Sequence, residues 1–145
     1  MPRVVRPAIA MIRPPRLTIR RGDARTTGLL ADHYHAIVTS PPYFGLREYG
    51  DDDREIGDEP TLGEYVQEMV TVGREARRAL RDDGIFALNL GDSFAPKRAD
   101  GIARGSLLGV PWRVAFALQD VAENVICVIF ADEGADELLC FAVCF

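Results

Sequence analysis

The sequence is poor in the side chains that bind metal ions or form disulfide bonds. It has two histidines and three cysteines in 145 residues. His33 and His35 have no second ligand cluster, and the cysteines, all among the last 19 residues, match no zinc spacing. An odd number of cysteines in a cytoplasmic chain indicates free thiols. We therefore expect no metal site.

Long apolar runs are also absent. No stretch reaches the 18 apolar residues of a membrane span, and the arginine-rich start lacks the apolar core and cleavage site of a signal peptide. We expect a soluble, cytoplasmic protein without a membrane partner. The net charge of −5 argues against a surface that wraps nucleic acid, although seven arginines fall within the first 25 residues. We interpret residues 1–15 as a flexible basic N-terminal segment, the alternative being an arm that contacts phosphates.

Glycine motifs for phosphate binding are missing as well. No G-x-G-x-x-G occurs, and the glycines at 101, 105 and 109 are not followed by Gly-Lys-Ser/Thr. A length of 145 residues, 48% of them hydrophobic, suffices for one compact domain and is too short for two.

Strand and helix patterns alternate along the chain. Thr61 and Glu64 form a capping box that starts a helix running to Leu80, and a second helix begins near Leu107. Strands are predicted over residues 17–20, 35–39, 85–90 and 125–130, and a short turn or helix over 26–31. This alternation predicts an α/β fold with a mainly parallel sheet, whose ligands bind outside the carboxyl ends of the strands. Asp23, Ser40 and Asp92 fall at those ends.

The most informative segment is Ser40-Pro41-Pro42-Tyr43, which directly follows an apolar strand. Two successive prolines stiffen the backbone, so they hold Ser40 and Tyr43 in one geometry. The Ser40 hydroxyl and the Pro41 carbonyl can accept hydrogen bonds, and Tyr43 offers an aromatic face. Such a site suits a planar amine.

These residues resemble the catalytic motif of the DNA methyltransferases that modify cytosine N4 or adenine N6. Three blocks carry the resemblance, in the same order and at similar spacing: residues 39–49 (TSPPYFGLREY), 88–93 (LNLGDS) and 107–119 (LLGVPWRVAFALQ). It implies a partial Rossmann-like sheet of an S-adenosylmethionine-dependent methyltransferase, with residues 16–119 as its catalytic part. DNA is then the partner.

The resemblance implies direct transfer of a methyl group from S-adenosylmethionine to the amine of a flipped base. Ser40 and the Pro41 carbonyl would accept the amine hydrogens, and Tyr43 would stack on the base, with Phe44 as a second stacking surface or as loop packing. A serine in the first motif position favours cytosine N4 over adenine N6. Asp23 matches the position that contacts the adenine of the cofactor, its alternative being a turn cap. Asp92 either shapes the target pocket or caps a loop.

The sequence departs from the family in one respect. The family's late Phe-x-Gly-x-Gly cofactor loop and basic recognition region do not occur, and residues 120–145 form a divergent C-terminal tail. We interpret the tail as the product of a frame change, of gene decay, or of a split enzyme. Two functions then compete. One is a catalytic part that works with a second chain supplying the cofactor loop and recognition region, and the other is a noncatalytic remnant or interaction protein.

Overall fold

In the described part of the chain, the fold is an open α/β sheet with two helices. A computed structural model describes residues 17–45, 55–95, 102–119, 126–131 and 139–141. The strands lie in the order β1 (Tyr34–Thr39), β2 (Leu80–Gly91), β3 (Ile126–Ala131) and β4 (Leu139–Phe141), and the helices are α1 (Leu62–Ala79) and α2 (Val110–Gln119). Strands β1, β2 and β3 are parallel, and β4 is antiparallel to β3. The predicted mainly parallel α/β fold is confirmed.

Helix α1 begins at the predicted capping box. The Glu64 amide donates to the Thr61 hydroxyl at 3.2 Å, and the Thr61 amide donates to the Glu64 carboxylate at 3.0 Å. The helix ends at Ala79 and β2 follows immediately from Leu80, so this strand is longer at its start than the predicted residues 85–90. The added residues pair with β1 across a register shift between Tyr34 and Ala36.

Both helices pack on the same face of the sheet. Phe86, Leu88 and Leu90 of β2 alternate toward the helices and are almost fully buried. Gly73 lies where α1 and α2 meet, and a Cβ atom there would overlap the side chain of Leu118. The missing side chain at position 73 therefore sets how closely the two helices approach.

The opposite face of the sheet is open in the described part of the chain. Val38 of β1 is 76% exposed and Ile85 of β2 is 47% exposed. Strand β1 also forms one edge of the sheet. The apolar run of residues 85–90 predicted a buried strand, but only the positions that point toward the helices are buried.

The predicted strand over residues 17–20 is wrong. This segment has no regular secondary structure, and Leu17 and Ile19 are 86% and 87% exposed. A strand requires a neighbour for its backbone hydrogen bonds, and no described segment pairs with it. The chain that follows is irregular and is tied to α1, because the amides of Asp32 and His33 donate to the last carbonyls of that helix.

The second half of the sequence also differs in detail from its prediction. Helix α2 begins at Val110 rather than near Leu107, which instead forms an isolated bridge with Phe94. The predicted strand over 125–130 is confirmed as β3, so part of the tail pairs with β2 in the same sheet. The N-terminal segment 1–15 and residues 46–49 of the first resemblance block lie outside the described residues. In the described part of the chain no helix is long and apolar enough to cross a bilayer.

Candidate active site

The segment Ser40–Tyr43 lies at the carboxyl end of β1, beside the end of β2. The parallel register pairs Thr39 with Leu88, so Ser40 comes next to Asn89. Ser40 is exposed, whereas Pro41, Pro42 and Tyr43 are half-buried. The predicted motif therefore stands at the sheet edge where open α/β sheets bind ligands, with its hydroxyl accessible.

Two glycines make room for the motif. A Cβ atom at Gly91 would come within 2.7 Å of the Tyr43 ring, and one at Gly57 would lie 3.1 Å from both Pro42 Cβ and the Tyr43 carbonyl oxygen. Because neither glycine has a side chain, the Tyr43 ring can lie directly on the end of β2. Gly57 also has a φ of 108°, which favours glycine for a second reason.

A buried tyrosine contacts the motif from α1. The Tyr65 hydroxyl donates to the Pro42 carbonyl at 3.0 Å, and no part of the Tyr65 residue is exposed. Burial, with smaller contributions from the nearby Glu59 and Tyr43, raises the pKa of Tyr65 above its usual range, so the hydroxyl keeps its proton. Of the two proline carbonyls, Pro42 is thus engaged within the protein.

Hydrogen bonds also hold the two residues that follow the motif. The Ser93 hydroxyl donates to the Phe44 carbonyl at 3.3 Å, and the Gly45 amide donates to the Gly57 carbonyl at 2.8 Å. The Phe44 ring lies 5.5 Å from the Tyr65 ring, centroid to centroid. Phe44 therefore packs against the core, which agrees with loop packing as its role.

Sequence reasoning did not single out Asn89 on β2. Its amide nitrogen lies 3.5 Å from the Ser40 Oγ, a long hydrogen bond, and its amide oxygen is buried without a partner in the described part of the structure. A buried amide oxygen without a partner is costly. A lone polar residue within the apolar run 85–90 was the signal that could have identified Asn89.

Asp92 follows β2, and it caps α2. Its carboxylate accepts hydrogen bonds from the amides of Gly109 and Val110, at 3.1 and 3.0 Å, and from the amide of Ser93 at 2.9 Å. These bonds satisfy amides at the start of a helix, which otherwise lack partners. Of its two predicted roles, the structure shows capping, and it connects the end of β2 to α2.

Asp23 does not follow a strand but lies in a turn. The Arg25 amide donates to Asp23 Oδ1 at 2.8 Å, and the Arg25 guanidinium contacts both carboxylate oxygens at 2.9 to 3.1 Å. Arg25 also contacts Glu68 of α1 at 3.0 Å. Hydrogen bonds to Asp23 and then Glu68 raise the pKa of Arg25, so its charge is secure. The geometry is that of a turn cap, anchored to α1 through Arg25.

No metal centre is built by the described residues. Nowhere in the described ranges do three histidine, cysteine, aspartate or glutamate side chains group as metal ligands. The side chains that hydrogen-bond to the loop are those of Asn89, Tyr65 and Ser93, which are hydrogen-bonding groups rather than the usual ligands of divalent ions.

Comparison with protein families agrees with this geometry. The family model described as DNA methylase, covering the N6 and N4 types, matches residues 34–135. The match includes β1, α1, β2 and α2, and it runs past Gln119, where the sequence predicts the catalytic part to end.

Several curated relatives are type II methyltransferases. The chain is 38% identical to M.SmaI of Serratia marcescens, over 68% of this chain and 41% of the relative, and 37% identical to M.Cfr9I of Citrobacter freundii, over 71% and 42%. It is 36% identical to M.XycI of Xanthomonas campestris pv. cyanopsidis, over 81% and 46%. The chain thus spans less than half the length of these relatives. No solved structure matches it.

Proposed function

The chain belongs to the N6/N4 DNA methylase family, and we propose that it is the part of a site-specific DNA methyltransferase that holds the target amine. We propose cytosine N4 rather than adenine N6 as the atom methylated. The observation that carries the proposal is the placement of Ser40, Pro41 and Tyr43 on a buttressed loop at the carboxyl end of a parallel strand. We also propose that the protein acts in the cytoplasm.

The chemistry follows from the electronic structure of the amine. The lone pair of a cytosine amino group is delocalised into the ring, so the amine is a poor nucleophile. Acceptors that draw on its two hydrogens help to localise the lone pair, and we propose that the Ser40 Oγ and the Pro41 carbonyl are these acceptors. Direct displacement needs no covalent intermediate on the enzyme, so the loop contributes mainly positioning.

The target base must leave the DNA stack to reach this loop. An amine inside a duplex is buried between neighbouring base pairs, so the base is flipped out. The Tyr43 ring, which lies against Gly91, is the proposed stacking surface. The Phe44 ring lies 5.5 Å from the buried Tyr65 ring, so we propose loop packing for Phe44 and a single aromatic face for the base.

The described residues fit the cofactor only in part. The family uses S-adenosylmethionine as its methyl donor, which supplies the electrophilic methyl group. A contact from Asp23 to the adenine end would require its carboxylate to exchange bonds with Arg25. The sequence contains no Phe-x-Gly-x-Gly, the cofactor loop of the family. We therefore propose that a second polypeptide segment completes the cofactor site and supplies the DNA-recognition region.

The open face of the sheet supports this second segment. Parallel strands with continuous apolar runs are usually covered on both faces, and the helices of the described residues cover one. Val38 and Ile85 lie on the other face, and β1 offers a free sheet edge in the described part of the chain. Exposed apolar strands with an open edge favour pairing with another segment.

Titration calorimetry with S-adenosylmethionine separates the catalytic part from the noncatalytic remnant. We expect at most millimolar affinity for the chain alone. Mixing the chain with the segment of a curated relative that it does not cover should raise the affinity and restore methyl transfer to DNA. If the chain neither gains cofactor affinity nor supports transfer in any such pair, the remnant or interaction role is correct.

Two substitutions test the site in that pair. Ser40→Ala and Tyr43→Ala should each abolish transfer, whereas Ser106→Ala, at an exposed turn, should leave it unchanged. Mass spectrometry of the nucleosides after digestion distinguishes N4-methylcytosine from N6-methyladenine. Full activity in both site variants would mean that the active site lies elsewhere, and N6-methyladenine as the product would contradict the choice of cytosine.

A further inference from the structure

We propose that Tyr65 is a positioning residue, which fixes ψ of Pro42, the one backbone torsion between the Cα atoms of Ser40 and Tyr43 that the two prolines leave free. The effect of Tyr65 on catalysis depends on the proposed function being correct. Its structural part rests only on the contact between α1 and the loop.

The prolines constrain nearly every rotation in the loop. The rings fix φ of Pro41 and of Pro42, and a following proline restricts Ser40 and Pro41 to extended conformations. Between the Cα atoms of Ser40 and Tyr43, the remaining rotation is ψ of Pro42. This angle sets the direction of the Pro42 carbonyl and, with it, the direction in which the chain delivers Tyr43.

Tyr65 holds that carbonyl. Its hydroxyl donates to the Pro42 oxygen at 3.0 Å, and the side chain comes from the first turn of an 18-residue helix and has no exposed surface of its own. A buried hydroxyl is held by its partner because no water competes for it. The raised pKa of Tyr65 agrees with a permanent donor at this position.

The Tyr43 ring lies on the bare backbone of Gly91. A Cβ atom at Gly91 would come within 2.7 Å of the ring, so a rotation about ψ of Pro42 would move the ring away from this contact. The Tyr65 hydroxyl thus holds the Pro42 carbonyl, and the Gly91 backbone receives the ring of the next residue. Through Pro42, Tyr65 controls the position of the proposed stacking surface although it does not touch the base.

The variant that isolates this role is Tyr65→Phe. It keeps the ring that packs 5.5 Å from Phe44 and removes only the hydroxyl. Tyr34→Phe is the matched control, because Tyr34 is a partly buried tyrosine that packs against the same core from β1. Both variants retain the aromatic packing, so both should fold.

The first measurement is amide hydrogen exchange of the full chain. Prolines have no amide, so the reporter is the Gly45 amide, which donates to the Gly57 carbonyl at 2.8 Å. We expect about tenfold faster exchange at this amide in Tyr65→Phe, the effect of one net hydrogen bond, and no change in Tyr34→Phe. Equal exchange in the wild type and Tyr65→Phe would overturn the proposal.

The second measurement is steady-state methyl transfer by the reconstituted pair. Tyr65→Phe should lower kcat by about tenfold while KM for DNA stays nearly constant, because the base is bound but less well placed. Faster exchange with an unchanged kcat would overturn the catalytic part. If the wild-type pair transfers no methyl group, the proposed function fails, and the exchange measurement still decides whether Tyr65 positions the loop.

Discussion

Replacing Gly91 by alanine should damage the loop through Tyr43, and the size of the effect can be worked from the structure. The added Cβ would approach Cε2 and Cδ2 of the Tyr43 ring to 2.7 and 2.8 Å, well inside contact distance. Overpacking of this kind costs about 1 to 3 kcal/mol. Removing a glycine from a strand returns about 0.5 to 1 kcal/mol. We expect a net loss of about 1 to 2 kcal/mol in the free energy of unfolding.

The assay is a double-mutant cycle followed by urea unfolding of the full chain. In the Tyr43→Ala background the ring is gone, so Gly91→Ala has nothing to displace. There it should become neutral or stabilise the protein by up to about 1 kcal/mol. The sign of the Gly91→Ala effect thus reverses between the two backgrounds.

One result would refute the reasoning. If Gly91→Ala destabilises the protein equally with and without the Tyr43 ring, the cost arises from the backbone of β2 and not from the ring. Gly91 would then have no part in seating Tyr43. The cycle needs no catalytic activity, so this outcome would bear on the geometry of the loop alone.

Three further predictions concern the helices and their contacts around the loop. Gly73→Ala should destabilise the protein by about 1 to 3 kcal/mol in urea unfolding, because the added Cβ overlaps Leu118. The control is Gly63→Ala in the same helix, which has its nearest neighbour at 3.9 Å and should stabilise the protein by about 0.5 kcal/mol. Equal effects of the two substitutions would contradict the close contact between the helices. Asp92→Ala should lower the free energy of unfolding by about 1 to 2 kcal/mol, because it removes the cap of α2, and Asp92→Asn should lower it by a smaller amount. An unchanged free energy of unfolding in both variants would contradict the cap. Hydrogen bonds from Arg78 and then Thr27 lower the pKa of Glu75 from 4.5 to about 2, so its stabilising contribution is complete above about pH 4.5 and is lost as the pH falls toward about 2. The free energy of unfolding should fall less between about pH 6 and about pH 3 in Glu75→Gln than in the wild type. An equal fall in both proteins would contradict this assignment.

Local sequence signals predicted the elements whose causes are local. The capping box at Thr61 and Glu64 located the start of α1 to the residue, because both partners lie within one turn. The apolar run before Ser40 located β1, since a short apolar run next to a proline pair has few alternatives, although β1 is an exposed edge strand rather than a buried one. Ser40 to Tyr43 were placed correctly at the end of that strand for the same reason.

The errors arose where structure depends on distant residues. Residues 17–20 have the pattern of a strand, but a strand forms only beside a partner, which no local pattern supplies. The cap from Asp92 to Val110 spans 18 positions, so spacing could not reveal it. Helical periodicity placed Tyr65 on the buried face of α1, and it could not show that the Tyr65 hydroxyl contacts Pro42.

The described residues separate two properties of the site. The loop is held by four residues of the described part of the chain, so its geometry is internally supported: Gly57, Tyr65, Gly91 and Ser93. The cofactor side is different, because Asp23 is engaged by Arg25 and one sheet face is open in the described residues. Stability of the loop and competence for transfer therefore need not change together. A well-folded chain without activity would agree with this division, whereas activity of the chain alone would show that the cofactor is held by residues other than those considered.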